Sequence, residues 1–348
     1  MEIRNGTFTG KHGKNHIQGM AVDEKNGWVY YSFTTMLVKT DSEGRALGSV
    51  TGLIGHLGCI SIDKTTGDVY GTLEYKHDSI GKGILKSLGG GSFDDGFYLV
   101  RFNGPGIVRA EMDAEKDGLM TAMFLPDVLA DYRGKGEPIN GKAPDHRYGC
   151  SGIDGVCLAP PPGGGEGEDV WIAYGVYGDV ARSDNDHQVL LRCDKAAFDR
   201  YARPLRQRDM HRSGPPSLVR YFVYTGNTEY GVQNLEYDPY TNCVFMAVYR
   251  GRKPGFPNKD IYAADWSVPA QTVPLRGLNE TGLSLTLRGA AGPESDAISG
   301  WELPFGQYGL YARGSGRFYI AEPAETEDEE SAYVYTYLFD PQTGFEKE

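Results

Sequence analysis

"GMAVDEKNGWVYYSF", residues 19–33, is an apolar run ending in Asp23, a short polar turn, and a second run that opens on Trp28 and Val29. The same pattern returns as "GCISIDKTTGDVYGTL" (58–73) and "NLEYDPYTNCVFMAV" (234–248), with one spacing throughout: Asp23 to Val29, Asp63 to Val69, Asp238 to Val244. A further copy starts "GCSGID" (149–154) and resumes at "VWIAYGV" (170–176) after the insertion "PPPGGGEGED". A last one, "YGLYARGSGRFYIAE" (308–322), lacks the Asp. An internal repeat decides the fold, so it is read first.

Each copy continues into a third run closing on Asp or Asn: "MLVKTD" to Asp41, "YLVRFN" to Asn103, "VLLRCD" to Asp194, "IYAAD" to Asp265 and "YTYLFD" to Asp340. Both residue types bond their own backbone in turns, which suits strand ends. Fourth runs follow at 46–52, 119–125, 218–226 and 282–289, but the chain ends at "GFEKE" after the fifth copy. "GTFTG" (6–10) shares the Thr-Gly ending of the runs at 46–52 and 218–226, and is expected to supply the missing strand. Five four-stranded units closed in this way predict an all-β, five-bladed β-propeller with residues 2–10 in the last blade. The blades are placed at 15–53, 54–126, 145–226, 229–289 and 305–345, in one domain spanning 1–348. The units leave no room for crossover helices. Two packed β-sandwiches would explain neither the Asp spacing nor the N-terminal match. One helix is expected, within "CDKAAFDRYARPLRQRDMH" (193–211).

This pattern resembles the five-bladed propeller superfamily, which includes arabinanase-like and invertase-like glycoside hydrolases, calcium-dependent apyrases and sugar-binding lectins. The chain departs from the glycosidases where they carry an Asp nucleophile or base: His16 and Gln18 stand there.

Composition narrows the function classes. Gly (48) and Pro (19) make turns dense, while Tyr (23) and Phe (14) favour strands. A net charge of −12 and a pI near 5.1 speak against nucleic acid, which needs a basic face. No window approaches the ~18 apolar residues of a membrane span. The N-terminus has no apolar h-region, so a cytoplasmic chain is expected. The five cysteines (Cys59, Cys150, Cys157, Cys193, Cys243) are odd in number and widely spaced, as free buried thiols would be. "GKGILKSLGGGS" (81–92) lacks P-loop spacing and is expected to be a flexible rim loop. "ETEDEE" (325–330) is expected to be a solvated loop. No G-x-S-x-G, H-E-x-x-H or C-x-x-C occurs. A closed propeller has no strong need to oligomerise, so a monomer is expected.

Candidate site residues follow from counting back from the repeated Asp. Seven residues earlier stand His16, His56 and Arg147; five earlier stand Gln18, Gly58, Gly149 and Gln233, with Gln307 in the last copy. The second runs end in Glu74, Tyr75 and Lys76, in Tyr174 and Tyr177, in Tyr249 and Arg250, and in Glu322. Strand starts and ends of this kind return to one rim, which Glu229, Tyr148, Tyr230 and Tyr308 are expected to join. Glu229, Glu322, His56 and His16 are the candidates for catalysis. Arg147 and Lys76 would meet a ligand's charge, and the glutamines, Glu74 and tyrosines would bind it. The expected ligand is small and anionic or hydroxyl-rich, with carbohydrate foremost, handled by a hydrolase or lyase. The alternative is a non-catalytic propeller binding a ligand or protein. A third arrangement holds calcium on channel oxygens near a histidine, without a dedicated motif. Such polar groups can also do no more than satisfy one another and ordered water.

Overall fold

The aspartates that punctuate the sequence act through their own backbone. Asp23 Oδ1 accepts from the Asn26 N–H at 2.9 Å, Asp63 Oδ1 from Thr65 at 2.8 Å, and Asp238 Oδ1 from Tyr240 at 3.1 Å. The third runs close alike: Asp41, Asn103, Asp265 and Asp340 each accept an N–H two or three residues on. Each such bond satisfies a donor that the turn would otherwise leave unpaired.

The computed structural model describes residues 1–12, 15–87, 92–324 and 331–348, and it is a five-bladed β-propeller. Strand β1 (Thr7–Phe8) precedes a first blade of β2 (Ile17–Asp23), β3 (Trp28–Phe33), β4 (Met36–Asp41) and β5 (Ala46–Thr51). The second blade has β6 (His56–Ile62), β7 (Val69–Tyr75) and β8 (Gly96–Phe102). Strand β9 (Met112–Asp113) then pairs back onto β5, and β10 (Met120–Phe124) completes the second blade. The third runs β11 (Cys150–Ala159), β12 (Asp169–Val176), β13 (His187–Asp194), with β14 (Arg203–Pro204) reaching back to β10, and then β15 (Val219–Tyr224). The fourth has β16 (Glu229–Asp238), β17 (Cys243–Tyr249) and β18 (Ile261–Asp265). After β19 (Gln271–Pro274) and β20 (Thr281–Ser284) come β21 (Leu310–Gly314), β22 (Arg317–Pro323), β23 (Ala332–Asp340) and β24 (Gly344–Lys347) of the fifth.

Apolar residues on both faces of each sheet pack against the next blade, and a separate core fills each of the five blade interfaces. The core between the fifth and first blades joins Tyr319 and Val334 to Ile17 and Val29, so the ring is closed. The N-terminus locks it. Thr7 and Phe8 pair with Val334 and Tyr333, the Thr9 hydroxyl accepts from the Ala332 N–H at 3.0 Å, and Ile3 is buried in that core. Burying a side chain of that size stabilises by about 2 kcal/mol.

Five expectations need correction. "GFEKE" is not a tail: β24 pairs with Tyr337–Asp340 of β23, so the two termini share the outermost place of the fifth blade. Phe345 accounts for this, packing on Phe339 at 4.8 Å between ring centroids. The run at 282–289 divides. Its first half, β20, pairs with β15 of the third blade, while Leu287 bridges to Ala264 of the fourth. Leu285 and Leu287 fill the core between those two blades under either pairing, so their apolar pattern could not tell them apart. The helix expected over 193–211 is only Lys195–Tyr201 (α3), started by Asp194 accepting from the Ala197 N–H. It stops before Arg203, because a residue preceding proline is pushed out of the helical region. The stretch expected as a flexible rim loop at 81–92 begins in a helix, α1 (Ser79–Ser87), and a further helix, α2 (Pro126–Arg133), follows β10. The rest of "GKGILKSLGGGS" up to residue 91, and "ETEDEE", lie outside the described residues.

The fifth correction bears on the site. In the third blade the strand that matches "GMAVD" is "GVCLA" (155–159), with Ala159 opposite Asp169 as Asp23 is opposite Trp28. "GCSGID" therefore lies five residues too early, and Asp154 is not a turn residue but sits inside β11.

No helix among the described residues is long and apolar enough to cross a membrane. All five cysteines are buried and unbridged.

Candidate functional site

β6 begins and β7 ends at the same rim, because they pair antiparallel with His56 opposite Glu74. The equivalent ends of the other blades meet them there around a cavity of about 330 Å³. A larger hollow of about 500 Å³ opens at the outer edge by Lys259, Arg288 and Trp301. It is more open, and among the described residues no buried polar cluster lines it.

Of the candidates, His16, Gln18, His56, Glu74, Lys76, Tyr230, Gln233 and Tyr249 line that cavity. The slipped register adds Asp154, which takes in the third blade the place that Gln18 and Gln233 hold in theirs. Ser151, Asp78 and Tyr177 line it as well.

The other candidates lie elsewhere. Arg147 belongs to a turn in which His146 and Tyr148 have φ of 68° and 56°; its guanidinium bonds Glu280 at 2.7 Å, away from the cavity lining. Its predicted position came from the slipped register. Tyr148 is buried in the core between the second and third blades. Tyr75 turns inward too, and its hydroxyl donates to Gln207 Oε1 at 3.0 Å. Glu322 accepts from the Tyr337 hydroxyl at 2.6 Å and pairs with Lys347 at 2.7 Å, both on its own blade. Glu229 is at the start of β16, paired with Arg252 and outside the lining. The Gln307 amide donates to the Pro304 carbonyl at 2.8 Å, and Tyr308 stacks behind His16 with centroids 5.0 Å apart.

The floor of the cavity is built by contacts between blades. Glu74 Oε1 lies 2.5 Å from Lys76 Nζ, and Oε2 accepts from the Ile153 N–H at 3.0 Å. That approach requires a glycine at 152: a Cβ there would stand 2.0 Å from Glu74 Oε2, and φ is +132°. Lys76 also donates to the Ser151 carbonyl at 2.8 Å and lies 3.4 Å from Asp78. Asp154 Oδ2 accepts from Gln233 Nε2 at 3.2 Å. His56 Nδ1 is 3.6 Å from Glu74 Oε1 and 3.5 Å from Asp154 Oδ1.

Beneath the mouth, Asn234 closes the channel. Its amide donates to the carbonyls of Gln18 and Gln307 at 3.0 and 2.9 Å, and its oxygen lies 3.2 Å from Cys59 Sγ. Four blades are joined through one side chain. A signal for it existed in the sequence: four residues before Asp23, Asp63 and Asp238 stand Gly19, Cys59 and Asn234, a larger polar residue in a small-residue place.

Electrostatics follow from burial. Burial, helped by the Lys76 charge, lowers the His56 pKa to about 3, so the imidazole is neutral. Burial raises the Glu74 carboxyl against the pull of Lys76. Asp154 is pushed well above the usual carboxylate range by burial and then by Glu74. Burial works against the Lys76 ammonium, but Glu74, Asp78 and Asp154 outweigh it and hold its pKa up. Burial is the main cause of both raised carboxyls, and Lys76 is the cation that works against it. The anionic ligand expected from Arg147 and Lys76 therefore loses its basis. Arg147 is elsewhere, and Lys76 is already engaged.

Among the described residues, His56, Glu74 and Asp154 form a group able to hold a cation, with donor atoms all within 4.8 Å of one another.

No family model and no curated protein matches this chain. Among solved structures it is similar to a PQQ-bound aldose sugar dehydrogenase from Streptomyces coelicolor, at 12% identity over 97% of each chain and a TM-score of 0.38. It is also similar to a protein of unknown function from Bacteroides caccae, at 10% identity over 78% of this chain and 86% of that one, with a TM-score of 0.31. Identities this low say nothing about the residues of the site.

Proposed function

We propose that the channel mouth binds a small, uncharged, hydroxyl-rich molecule, a saccharide in chemical class. The observation that carries this reading is Tyr230. It is 50% exposed, holds a φ of 61° that a bulky residue rarely adopts, and stands edge-on to Tyr249 at 5.7 Å over the carboxylate-lined cavity. Strain of this kind costs on the order of 1–3 kcal/mol and tends to be kept where a side chain is presented to a ligand. Aromatic rings pack on the C–H face of a sugar, while carboxylates and amides accept and donate to its hydroxyls.

Two-carboxylate hydrolysis, which the glycosidase resemblance would imply, needs two carboxyl groups open to the sugar. Glu74 has a side chain only 1% exposed, with Lys76 at Oε1 and the Ile153 N–H at Oε2, and Glu229 and Glu322 are outside the cavity. With the expected glutamates out of reach, saccharide binding stands ahead of that route, and any turnover centres on Asp154, Asp78 and His56, which line the cavity.

The test is calorimetric titration with neutral mono- and oligosaccharides and with uronates, alongside product analysis. A neutral saccharide should bind better than its uronate. Tyr230→Ala should weaken it about tenfold, the loss of roughly 1.4 kcal/mol of ring contact. If no saccharide binds, or if Tyr230→Ala binds as tightly as the parent, the reading fails.

A further inference from the structure

Two buried polar atoms on the cavity floor have no hydrogen-bond partner: His56 Nδ1 and Asp154 Oδ1. Both residues are only 8% exposed. An unmade bond at such a position costs about 1–3 kcal/mol, so folded chains seldom leave two side by side. They face each other at 3.5 Å, and Glu74 Oε1 is 3.6 Å from the same nitrogen. These separations are too long for good hydrogen bonds. They match another geometry: ligands ~2.1 Å from one tetrahedral cation lie about 3.4 Å apart.

The geometry assigns a divalent-cation site to His56 Nδ1, Glu74 Oε1 and Asp154 Oδ1, with its remaining positions open to the cavity. The surroundings suit that role. The second oxygen of each carboxylate is fixed from behind, Glu74 Oε2 by the Ile153 N–H and Asp154 Oδ2 by Gln233. Outer partners of this kind orient metal ligands. Lys76 takes one lone pair of Glu74 Oε1 and leaves the other directed elsewhere. Lys76 is already paired with Glu74 and Asp78, so Asp154 would take its counter-charge from a 2+ ion. One imidazole nitrogen with two carboxylates fits a first-row ion such as Mn(II), Co(II) or Zn(II). Calcium, which takes six to eight oxygens, would find too few here.

The inference deepens the saccharide reading and rests on the same cavity, since the open positions would take sugar hydroxyls, but its test uses no saccharide. Protein freed of metal with a chelator is titrated separately with Mn(II), Co(II), Zn(II) and Ca(II), following heat, melting temperature and the visible absorption of Co(II). One equivalent of a first-row ion should bind and raise the melting temperature. Asp154→Asn and His56→Gln, both near-isosteric, should each weaken it by ~100-fold or more, whereas Glu322→Gln, outside the cavity, should change it by less than ~10-fold. Near-ultraviolet circular dichroism matching the parent would show that each variant is folded. Absence of stoichiometric binding, a preference for Ca(II), or unchanged affinity in folded Asp154→Asn and His56→Gln would overturn the assignment. Saccharide binding without metal binding would overturn the metal alone, and the converse would overturn the saccharide alone.

Discussion

Two hairpins of this propeller end their second strands on a glutamate at the channel-mouth end, and only one of them builds a site. In the second blade Glu74 leaves its own sheet and bonds the backbone of the third at Ile153. In the fifth, Glu322 turns back onto Tyr337 and Lys347 of its own blade. The residue type is the same. What differs is the neighbour: the third blade presents a glycine at 152 and a free N–H one residue on, so a carboxylate can enter. Burial then does the rest, because a carboxylate held 2.5 Å from Lys76 with its side chain 1% exposed helps to hold the Lys76 ammonium charged and adds to the raising of Asp154.

The severest way to break this difference is Gly152→Ala. The new methyl would lie 2.0 Å from Glu74 Oε2 in a backbone conformation that alanine avoids, and displacing Glu74 would leave Lys76 without its closest partner. Uncompensating a buried ion pair costs about 3 kcal/mol or more. Urea unfolding should show a loss of that size, together with loss of whatever ligand the cavity binds; a variant as stable as the parent would show that the interblade carboxylate contributes little.

A third glutamate separates burial from pairing. Glu236, on the inner strand β16, is buried with the Ala312 N–H on its Oε1 at 2.8 Å, and Lys64 is the cation that acts on it only through its charge. Burial raises its pKa from 4.5 to about 8. A carboxyl raised on folding lends stability that is complete below its unfolded value near 4.5 and is lost as pH climbs through about 8. The parent should therefore lose stability between pH 5 and 9, by an amount on the order of a few kcal/mol. Glu236→Gln keeps the acceptor for Ala312 and should flatten that part of the profile, measured by denaturant unfolding across the range. An unchanged slope would mean that Glu236 is ionised throughout.

The smallest effect belongs to Glu322→Gln. Its two partners lie on its own blade, near the surface, where ion pairs are worth about 0–1 kcal/mol. Melting temperature should fall slightly, and ligand or metal binding at the mouth should not change. A marked loss of binding would place Glu322 in the site after all and erase the contrast with Glu74.

Much of the fold was legible because its signals are local. An Asp that accepts an N–H two or three residues on marks a turn wherever it occurs, and alternating apolar residues mark strands that are buried against neighbours. Asp23, Asp63 and Asp238 read correctly for that reason, and so did the pairing of residues 7 and 8 with the fifth blade. The site was legible in part: His16, His56, Gln233 and the Glu74–Lys76 end stand at the rim because antiparallel pairing returns a strand's start and its partner's end to the same place.

The rest was decided by contacts between residues that are distant in the chain. "GCSGID" imitates "GCISID" letter for letter at most positions, and only the pairing of Ala159 with Asp169 shows that the strand is displaced by five residues. That displacement puts Asp154 on the cavity floor and removes Arg147 from it. Glu74 and Asp154 are eighty residues apart in sequence and meet through His56 only because two blades pack face to face. By itself the sequence determined the number of blades and the turns at Asp23, Asp63 and Asp238, since these depend on a repeat and on bonds spanning a few residues. Which side chains share a cavity, and with what charge, depends on how the blades abut, and only the tertiary structure decided it.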